Sequence, residues 1–413
     1  MKKIAVMGYG VVGSGVVEVI YKNKKQIEKK LNDEITVKYI LDLRDFPDSP
    51  YKDKFIKDFD IIKNDDEISV VAEVMGGVNP AFGFVKACLE SGKSVVTSNK
   101  ELVAKKGAEL LKIAKKNNVN FFFEASVGGG IPILRPLHSC LAANQIEEIA
   151  GILNGTTNFI LTEMIKNNMA FDNALKLAQR LGYAEKDPTA DIDGHDACRK
   201  ICILASIAFG KHIYPENVET EGIRNITLTD VEYINDVDGV IKLIGRAKRT
   251  DDDKIIITVS PAVISKTSGL SSVDDVFNAI LVRGNAVGEL MFYGRGAGKL
   301  PTASAVVADI IDAINRDETN KTLSWEDSDG SSVIDYRQNA CAFYIRTKCS
   351  DALTASKKAK EIFSEIREIP EARKNGEFAF ITKEYKEEQI EKMVEDFCSD
   401  GIELVTKIRV LDY

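Results

Sequence analysis

The chain has 413 residues, 44% of them hydrophobic and 29% charged, with a formal net charge of -8. That length exceeds one ordinary core and implies two or three domains, and the composition excludes a disordered chain. The acidic balance excludes binding of nucleic acid or anionic lipid through bulk charge, and no apolar run reaches the roughly 20 residues of a membrane helix.

The basic and then apolar start, Met1 to Met7, is too short for a signal peptide and reads as a first strand running into Gly8. The seven cysteines are scattered without disulfide-framework spacing, which points to a reducing cytoplasm. A helix is expected from Val12 to Leu31, then a strand over Ile35–Leu41. Strands Val70–Val74, Lys93–Thr97 and Val119–Phe123 alternate with helices Pro80–Glu90 and Glu101–Lys116. Such alternation predicts an α/β fold, a Rossmann-type doubly wound parallel sheet over residues 1–130.

The pattern then changes. Leu134–Ala143, Asp172–Leu181, Asp196–Phe209 and Thr302–Ile314 read as helices, and Lys254–Val263 and Val276–Phe292 as strands of a second sheet. An α+β substrate and dimerisation domain is expected over 131–300, with helix 302–316 packing back on the first domain. A polar linker is expected at 317–336. The last segment, 337–413, reads strand, helix, two strands meeting near Asn375-Gly376, helix, strand: a ferredoxin-like module.

Gly8-Tyr9-Gly10-Val11-Val12-Gly13 comes directly after the first strand and opens a helix. Gly8 permits a tight turn, Gly10 lets backbone approach a pyrophosphate, and Gly13 lets helix pack on strand. The helix N-terminus offers N–H groups to phosphate. This predicts a nicotinamide dinucleotide. At the end of strand two, Asp42 could accept from a ribose 2′-hydroxyl and favour NAD. Arg44 could pair with a 2′-phosphate and favour NADP. The carboxylate tilts the balance slightly to NAD.

Five further motifs stand in order: Thr97-Ser98-Asn99-Lys100, Glu124 to Pro132 with three glycines, Gly151 to Asn158, Gly182 to Lys200, and Gly294 to Gly298. On spacing, Asp196 and Lys200 share a helix face at i and i+4. Lys100 opens a helix, an unfavourable place for a cation against the helix dipole. Together the motifs, over residues 1 to about 330, closely resemble homoserine dehydrogenase. The resemblance implies reversible reduction of L-aspartate 4-semialdehyde to L-homoserine with NADH or NADPH, on the route to threonine and methionine. It implies that Glu185, Asp191 and Asp196 bind the substrate. Lys200 and Lys100 are the implied proton-transfer and carbonyl-polarising groups. Ser98 and Gly76 would lie near the nicotinamide ribose, with Gly296 and Gly298 also at the cofactor. Backbone carbonyls of Glu124, Val127, Gly129 and Ile131 would hold a monovalent cation, Na or K.

The last ~75 residues resemble an ACT domain, which implies feedback regulation, often by threonine, or a purely oligomerising role. The Asp-x-Pro-Gly loop of working sensor sites is missing; Cys349-Ser350-Asp351-Ala352 stands in its place. A homodimer or homotetramer is implied. A phosphate-dependent semialdehyde dehydrogenase would need a nucleophilic cysteine at the site, and a non-catalytic sensor would not need both lysines.

Overall fold

A computed structural model describes residues 1–315, 325–399 and 401–413. The stretch 316–324, which holds the first part of the expected linker, lies outside the described residues. Contacts divide the chain into two compact units, one of Met1–Ile146, Arg199–Pro215 and Arg283–Gly330, the other of Glu147–Cys198, Glu216–Val282 and Ser331–Tyr413.

The first unit is built on six strands: β1 (Lys2–Met7), β2 (Ile35–Leu41), β3 (Phe55–Ile56), β4 (Ile68–Glu73), β5 (Ser94–Thr97) and β6 (Phe121–Phe122). Their order is β3-β2-β1-β4-β5-β6 and every pairing is parallel. This is the expected doubly wound sheet, and its strands are near-continuous runs of Val, Ile and Ala because both faces are covered. The order reverses between β1 and β4, so the loops leaving these strands diverge and open a crevice.

Helix Lys299–Asn315 closes this unit. Ala303, Val306, Val307, Ile310 and Ala313 are buried with Ile4, Val6, Val16 and Ile20. Small alanines permit the approach: a Cβ on Gly15 would stand 2.8 Å from the Lys299 carbonyl oxygen. The expected helix Val12–Leu31 is two helices, Val11–Lys22 and Lys24–Leu31, parted at Asn23. Asn23 leaves helical geometry at ψ 19, as a residue that competes with the helix for backbone bonds does. Trp325 is buried against Gly107, Phe123 and His212, and the His212 ring Nε2 lies 3.0 Å from the Ala104 carbonyl oxygen.

The second unit holds β7 (Ile146–Ile152), β8 (Glu219–Thr220), β9 (Gly239–Arg249), β10 (Ile255–Ser265) and β11 (Phe277–Gly284). A strand in the first unit, β12 (Gly288–Arg295), comes next in the chain. The C-terminal segment adds β13 (Ala340–Lys348), helix Ala352–Phe363, β14 (Ile366–Glu368), β15 (Glu377–Thr382), β16 (Tyr385–Lys386), helix Glu387–Phe397 and β17 (Glu403–Val410). The expected βαββαβ order is present, but the second strand is short. Pro370–Asn375 form a 3-10 turn where strand was expected up to Ala372, since Pro donates no ladder bond.

The strands of this unit run β11-β7-β9-β10-β17-β13-β15-β14. The C-terminal segment is continuous with the middle one: β17 lies parallel to β10, with Ala262 opposite Arg409, and Leu411 N donates to the Val263 carbonyl at 2.9 Å. Phe343, Phe363, Phe378, Phe380 and Phe397 share one core with Ile244, Ala262 and Leu281. A buried ionic cluster adds to this. Arg346 donates to both Glu377 oxygens at 2.8 Å and to Asp230 at 3.1 Å, while Tyr233 OH donates to Glu377 at 2.9 Å. Each buried charge has a hydrogen-bonded partner, the condition under which burial is tolerated.

Helix Leu134–Ala143 was expected; a π-helical turn at Pro136–Cys140 is found. Strands β7 and β9 and the helices Gly155–Asn167 and Leu228–Asn235 were not anticipated. The region Val276–Phe292 holds two strands, β11 and β12, not one run.

Candidate functional site

The glycine loop forms as its spacing demands. Gly8 has φ +97 and its N–H donates to the Leu41 carbonyl at 2.8 Å. A Cβ on Gly13 would stand 1.9 Å from the Gly8 carbonyl oxygen, so no other residue fits while helix Val11–Lys22 rests on β1. A Cβ on Gly10 would meet nothing within 4 Å. Its open side, with Val11 exposed and Val12 behind it, leaves the helix N-terminus accessible to an anion.

Beside this loop lies a cavity of about 440 Å³ lined by Gly8, Gly10, Asp42, Leu43, Arg44, Lys57, Phe59, Met75, Pro80 and Phe84 among others. Asp42 accepts from Tyr9 N at 2.8 Å and from Arg44 Nε at 3.0 Å and Nη2 at 2.9 Å. The two residues that pointed to opposite cofactors are thus paired with each other. The Arg44 guanidinium holds the Asp42 carboxyl down to about 2. The stacked pair Phe59 and Phe84, ring centroids 4.2 Å apart, and Lys57 were not anticipated.

At the ends of β4 and β5 a buried carboxylate organises the loops. Glu73 accepts from Met75 N at 2.8 Å and Thr97 Oγ1 at 2.6 Å. Burial raises its pKa, against these hydrogen bonds. Gly76, nearby, has φ +84. Asn99 caps helix Lys100–Lys116 through Leu102 N at 3.1 Å and donates to the Gly77 carbonyl at 2.6 Å. Ser98 and Lys100 therefore sit on a braced turn, half-buried, with Lys100 at the helix start. The Lys105 ammonium holds the Glu101 carboxyl low, and the charges of Arg199 and Lys100 add to it. Arg199, whose charge reaches Glu101, adjoins Lys200 in the chain. Glu73 and Asn99 were missed; a glutamate ending an apolar strand was the available signal.

The Glu124 loop is tightly tied. The Glu124 carboxylate accepts from Ile133 N at 2.6 Å, Leu134 N at 2.8 Å and Arg135 N at 2.9 Å. Its own N–H donates to Asp309 at 2.9 Å, and Arg135 Nη2 donates to Asp309 at 2.9 Å. Burial pushes the Asp309 carboxyl up to about 7, although Arg135 opposes it. The Glu124 side chain thus caps a helix start. In the loop itself Ile131 N donates to the Gly128 carbonyl at 2.9 Å. Gly129, at φ +56, would place a Cβ 2.4 Å from the Gly296 carbonyl oxygen. Gly296 is thus packed on this loop, and Gly298, φ +129, leads into helix Lys299–Asn315 through its carbonyl and Thr302 N at 3.0 Å. Val127 is buried beside them.

In the second unit the acidic motif gathers around Asn154. This buried residue caps helix Gly155–Asn167 through Thr157 N at 2.8 Å. Its Nδ2 donates to Asp191 at 2.7 Å and to Asp196 at 2.9 Å. Two carboxylates 5 positions apart in sequence are thereby held together by one amide. Asn154 lay inside a recognised motif, yet its role was not anticipated. Helix His195–Phe209 begins just after the turn, with Asp196 and Lys200 both buried one turn apart. Glu185 is exposed, on a loop tied by Thr156 Oγ1 to the Tyr183 carbonyl at 2.6 Å and by Gln179 to its own carbonyl at 3.1 Å. The structure brings Asp191 and Asp196 together and leaves the Glu185 carboxylate out of that hydrogen-bonded group.

The family described as homoserine dehydrogenase matches residues 132–311 of the chain, and its NAD-binding domain matches residues 8–124. The homoserine dehydrogenase of Bacillus subtilis is 43% identical over 314 residues, 75% of this chain and 72% of that protein. The crystal structure of a homoserine dehydrogenase from Thiobacillus denitrificans superposes with a TM-score of 0.89 at 33% identity, covering 99% of this chain and 98% of the other. A hyperthermophilic archaeal homoserine dehydrogenase mutant in complex with NADPH aligns at 30% identity with a TM-score of 0.65, over 76% of this chain and 98% of its own.

Proposed function

The chain belongs to the homoserine dehydrogenase family of NAD(P)-dependent oxidoreductases, and from that premise we propose how its residues divide the reaction between L-homoserine and L-aspartate 4-semialdehyde. The observation that carries the proposal is the helix His195–Phe209. It bears Asp196, bridged to Asp191, and Lys200 one turn later. Residues four apart share one face of a helix, so a substrate held at the carboxylates by its ammonium extends its side-chain oxygen towards the lysine. The carboxylates take the ammonium, with Glu185 closing over it, and Lys200 faces the oxygen.

A bound nicotinamide would supply the hydride acceptor for the alcohol carbon and the hydride donor for the aldehyde. The Gly8–Gly13 loop, with Tyr9, Val11 and Val12 in its backbone, would hold the pyrophosphate. The cavity lined by Asp42 and Arg44 would take the adenosine end, and Ser98 and Gly76 would hold the nicotinamide ribose. Lys200 takes the hydroxyl proton in oxidation and gives one to the oxygen in reduction. Lys100, opposite it, stabilises the charge that develops there. The braced turn through Asn99 and Glu73 keeps Lys100 from drifting, which positioning on this scale requires.

Either cofactor would fit: NAD with the Asp42–Arg44 pair intact, NADP with Arg44 and Lys57 offered to the 2′-phosphate. The carbonyls of Glu124, Val127, Gly129 and Ile131 are hard oxygen donors that would hold a monovalent cation, Na or K. Homodimers form through β12, which keeps Leu290 and Phe292 half-exposed and Met291 and Tyr293 exposed, an apolar surface that a partner would cover. The enzyme works in the cytoplasm, on the route to threonine and methionine. The test is homoserine-dependent appearance of reduced nicotinamide. Oxidation of L-homoserine but not of its chain-shortened analogue L-serine supports the spacing argument; equal oxidation of both sinks it.

A further inference from the structure

The turn that carries Asp191 and Asp196 rests on a short strap, Glu219–Arg224, and the strap is held by the C-terminal segment. On the substrate side, Ile223 N donates to the Ile192 carbonyl at 2.8 Å, and Arg224 Nη2 donates to Asp193 at 3.1 Å. The fit is close: a Cβ on Gly222 would stand 2.1 Å from the Ile192 carbonyl oxygen and 2.5 Å from Asp193 Cα. Gly194, which ends the turn, sits against Thr220 and Val259. On the other side, Glu221 N donates to the Val259 carbonyl at 2.7 Å, and the Glu221 carboxylate accepts from Arg409 Nη1 at 2.6 Å. Arg409 belongs to β17, is buried, and is itself fixed by a fork onto Glu387 at 2.9 and 2.6 Å.

We propose that Arg409, through Glu221, is a positioning residue for substrate binding, so that the C-terminal segment is part of the scaffold of the catalytic turn. The proposal rests on the reading that Asp191 and Asp196 bind the substrate ammonium. Arg409 is immobile because its fork is buried and satisfied. Glu221 is half-exposed and long, so without Arg409 the strap keeps its short β8 ladder to β10 and the Glu221 N–H bond to Val259 but loses its side-chain tie to β17. A looser strap means looser Ile192 and Asp193, on either side of which stand Asp191 and Gly194. An ammonium site loses affinity when its carboxylates wander, whereas the cofactor loop, built on β1, does not feel the change.

Glu221→Gln is the first test. It keeps the backbone bond, leaves Arg409 paired with Glu387, and replaces the charge-assisted bond with a weaker neutral one. The expected result is a rise of about three- to tenfold in the KM for homoserine, with kcat and the cofactor KM unchanged. Gly222→Ala, which pushes strap and turn apart directly, raises the same KM at least as much. Asp191→Asn separates the two claims. If it leaves the homoserine KM unchanged, the substrate reading fails and the proposal falls with it. If Asp191→Asn raises the KM and Glu221→Gln does not, the strap alone is refuted. A Glu221→Gln chain that loses thermal stability without a KM change has a merely structural bond there, which also overturns the proposal. In the double variant, the two effects should combine to less than their product; a full product would mean independent action and refute positioning.

Discussion

Replacing Asn154 by Asp changes one atom's chemistry at the centre of the carboxylate group. The variant keeps an oxygen for the Thr157 N–H, so the cap of helix Gly155–Asn167 survives; Asp caps as well as Asn. The amide that donated to Asp191 at 2.7 Å and Asp196 at 2.9 Å becomes a third acid. Ionised, it would meet each neighbour at about 3 Å, a repulsion of about 5 kcal/mol per pair at an effective dielectric of about 20. That is enough to keep the new carboxyl protonated at neutral pH. A protonated acid has one O–H and serves one neighbour, so one hydrogen bond to a charged group, worth about 1.5–3 kcal/mol, is lost. The variant should show kcat/KM for homoserine lowered about 10- to 100-fold, with cofactor affinity unchanged. Its activity should fall further as pH rises, because ionising the third acid spreads the carboxylates. Asn154→Ser, which also keeps the cap but loses both donors, should be impaired at every pH alike. Steady-state kinetics of the three chains between acid and alkaline pH decide it. An Asn154→Asp chain with wild-type kcat/KM across that range would show that the Asn154 amide does not organise the carboxylates for substrate.

Two further outcomes are expected. Gly13→Ala puts a methyl 1.9 Å from the Gly8 carbonyl oxygen. The helix must leave the strand, so stability should drop by at least the ~1–3 kcal/mol of ordinary overpacking and cofactor affinity should fall. Thermal melts with and without NAD would show a smaller cofactor-induced gain; a gain equal to wild type would contradict the role given to that contact. Arg44→Ser frees Asp42 and removes the cation at the cavity end. The KM for NADP should rise about tenfold or more, with that for NAD unchanged or lower. Equal effects on both cofactors would show that Arg44 does not read the 2′-phosphate.

The dinucleotide half was legible because its signals are local. Alternating apolar strands, glycines at fixed spacing and a carboxylate after β2 all lie within a few residues of the features they control. The family resemblance marked Asp191, Asp196 and Lys200 for the same reason: they fall in one continuous motif. The features that escaped are long-range. Asn154 reaches Asp191 and Asp196 across 37 and 42 positions, and Arg409 reaches Glu221 across 188; nothing in a local window marks either. Helix Leu228–Asn235 was not anticipated although Thr227 and Asp230 form a capping box, a signal visible in Thr-Leu-Thr-Asp. The helix expected over Leu134–Ala143 is present but short: Glu124 caps its first N–H groups, Leu134 and Arg135 are helical, and Pro136–Cys140 continue as a π-helical turn, a cap reaching across 9 to 11 positions that no local window marks.

In the proposed reaction Lys200, on the helix that also carries Asp196, moves the proton of the reacting oxygen. The most direct test measures cofactor binding and single-turnover reduction of NAD(P) by homoserine in a Lys200→Ala chain. Cofactor affinity should be unchanged and hydride transfer slowed at least about 100-fold. Wild-type transfer rates in that chain would contradict that role.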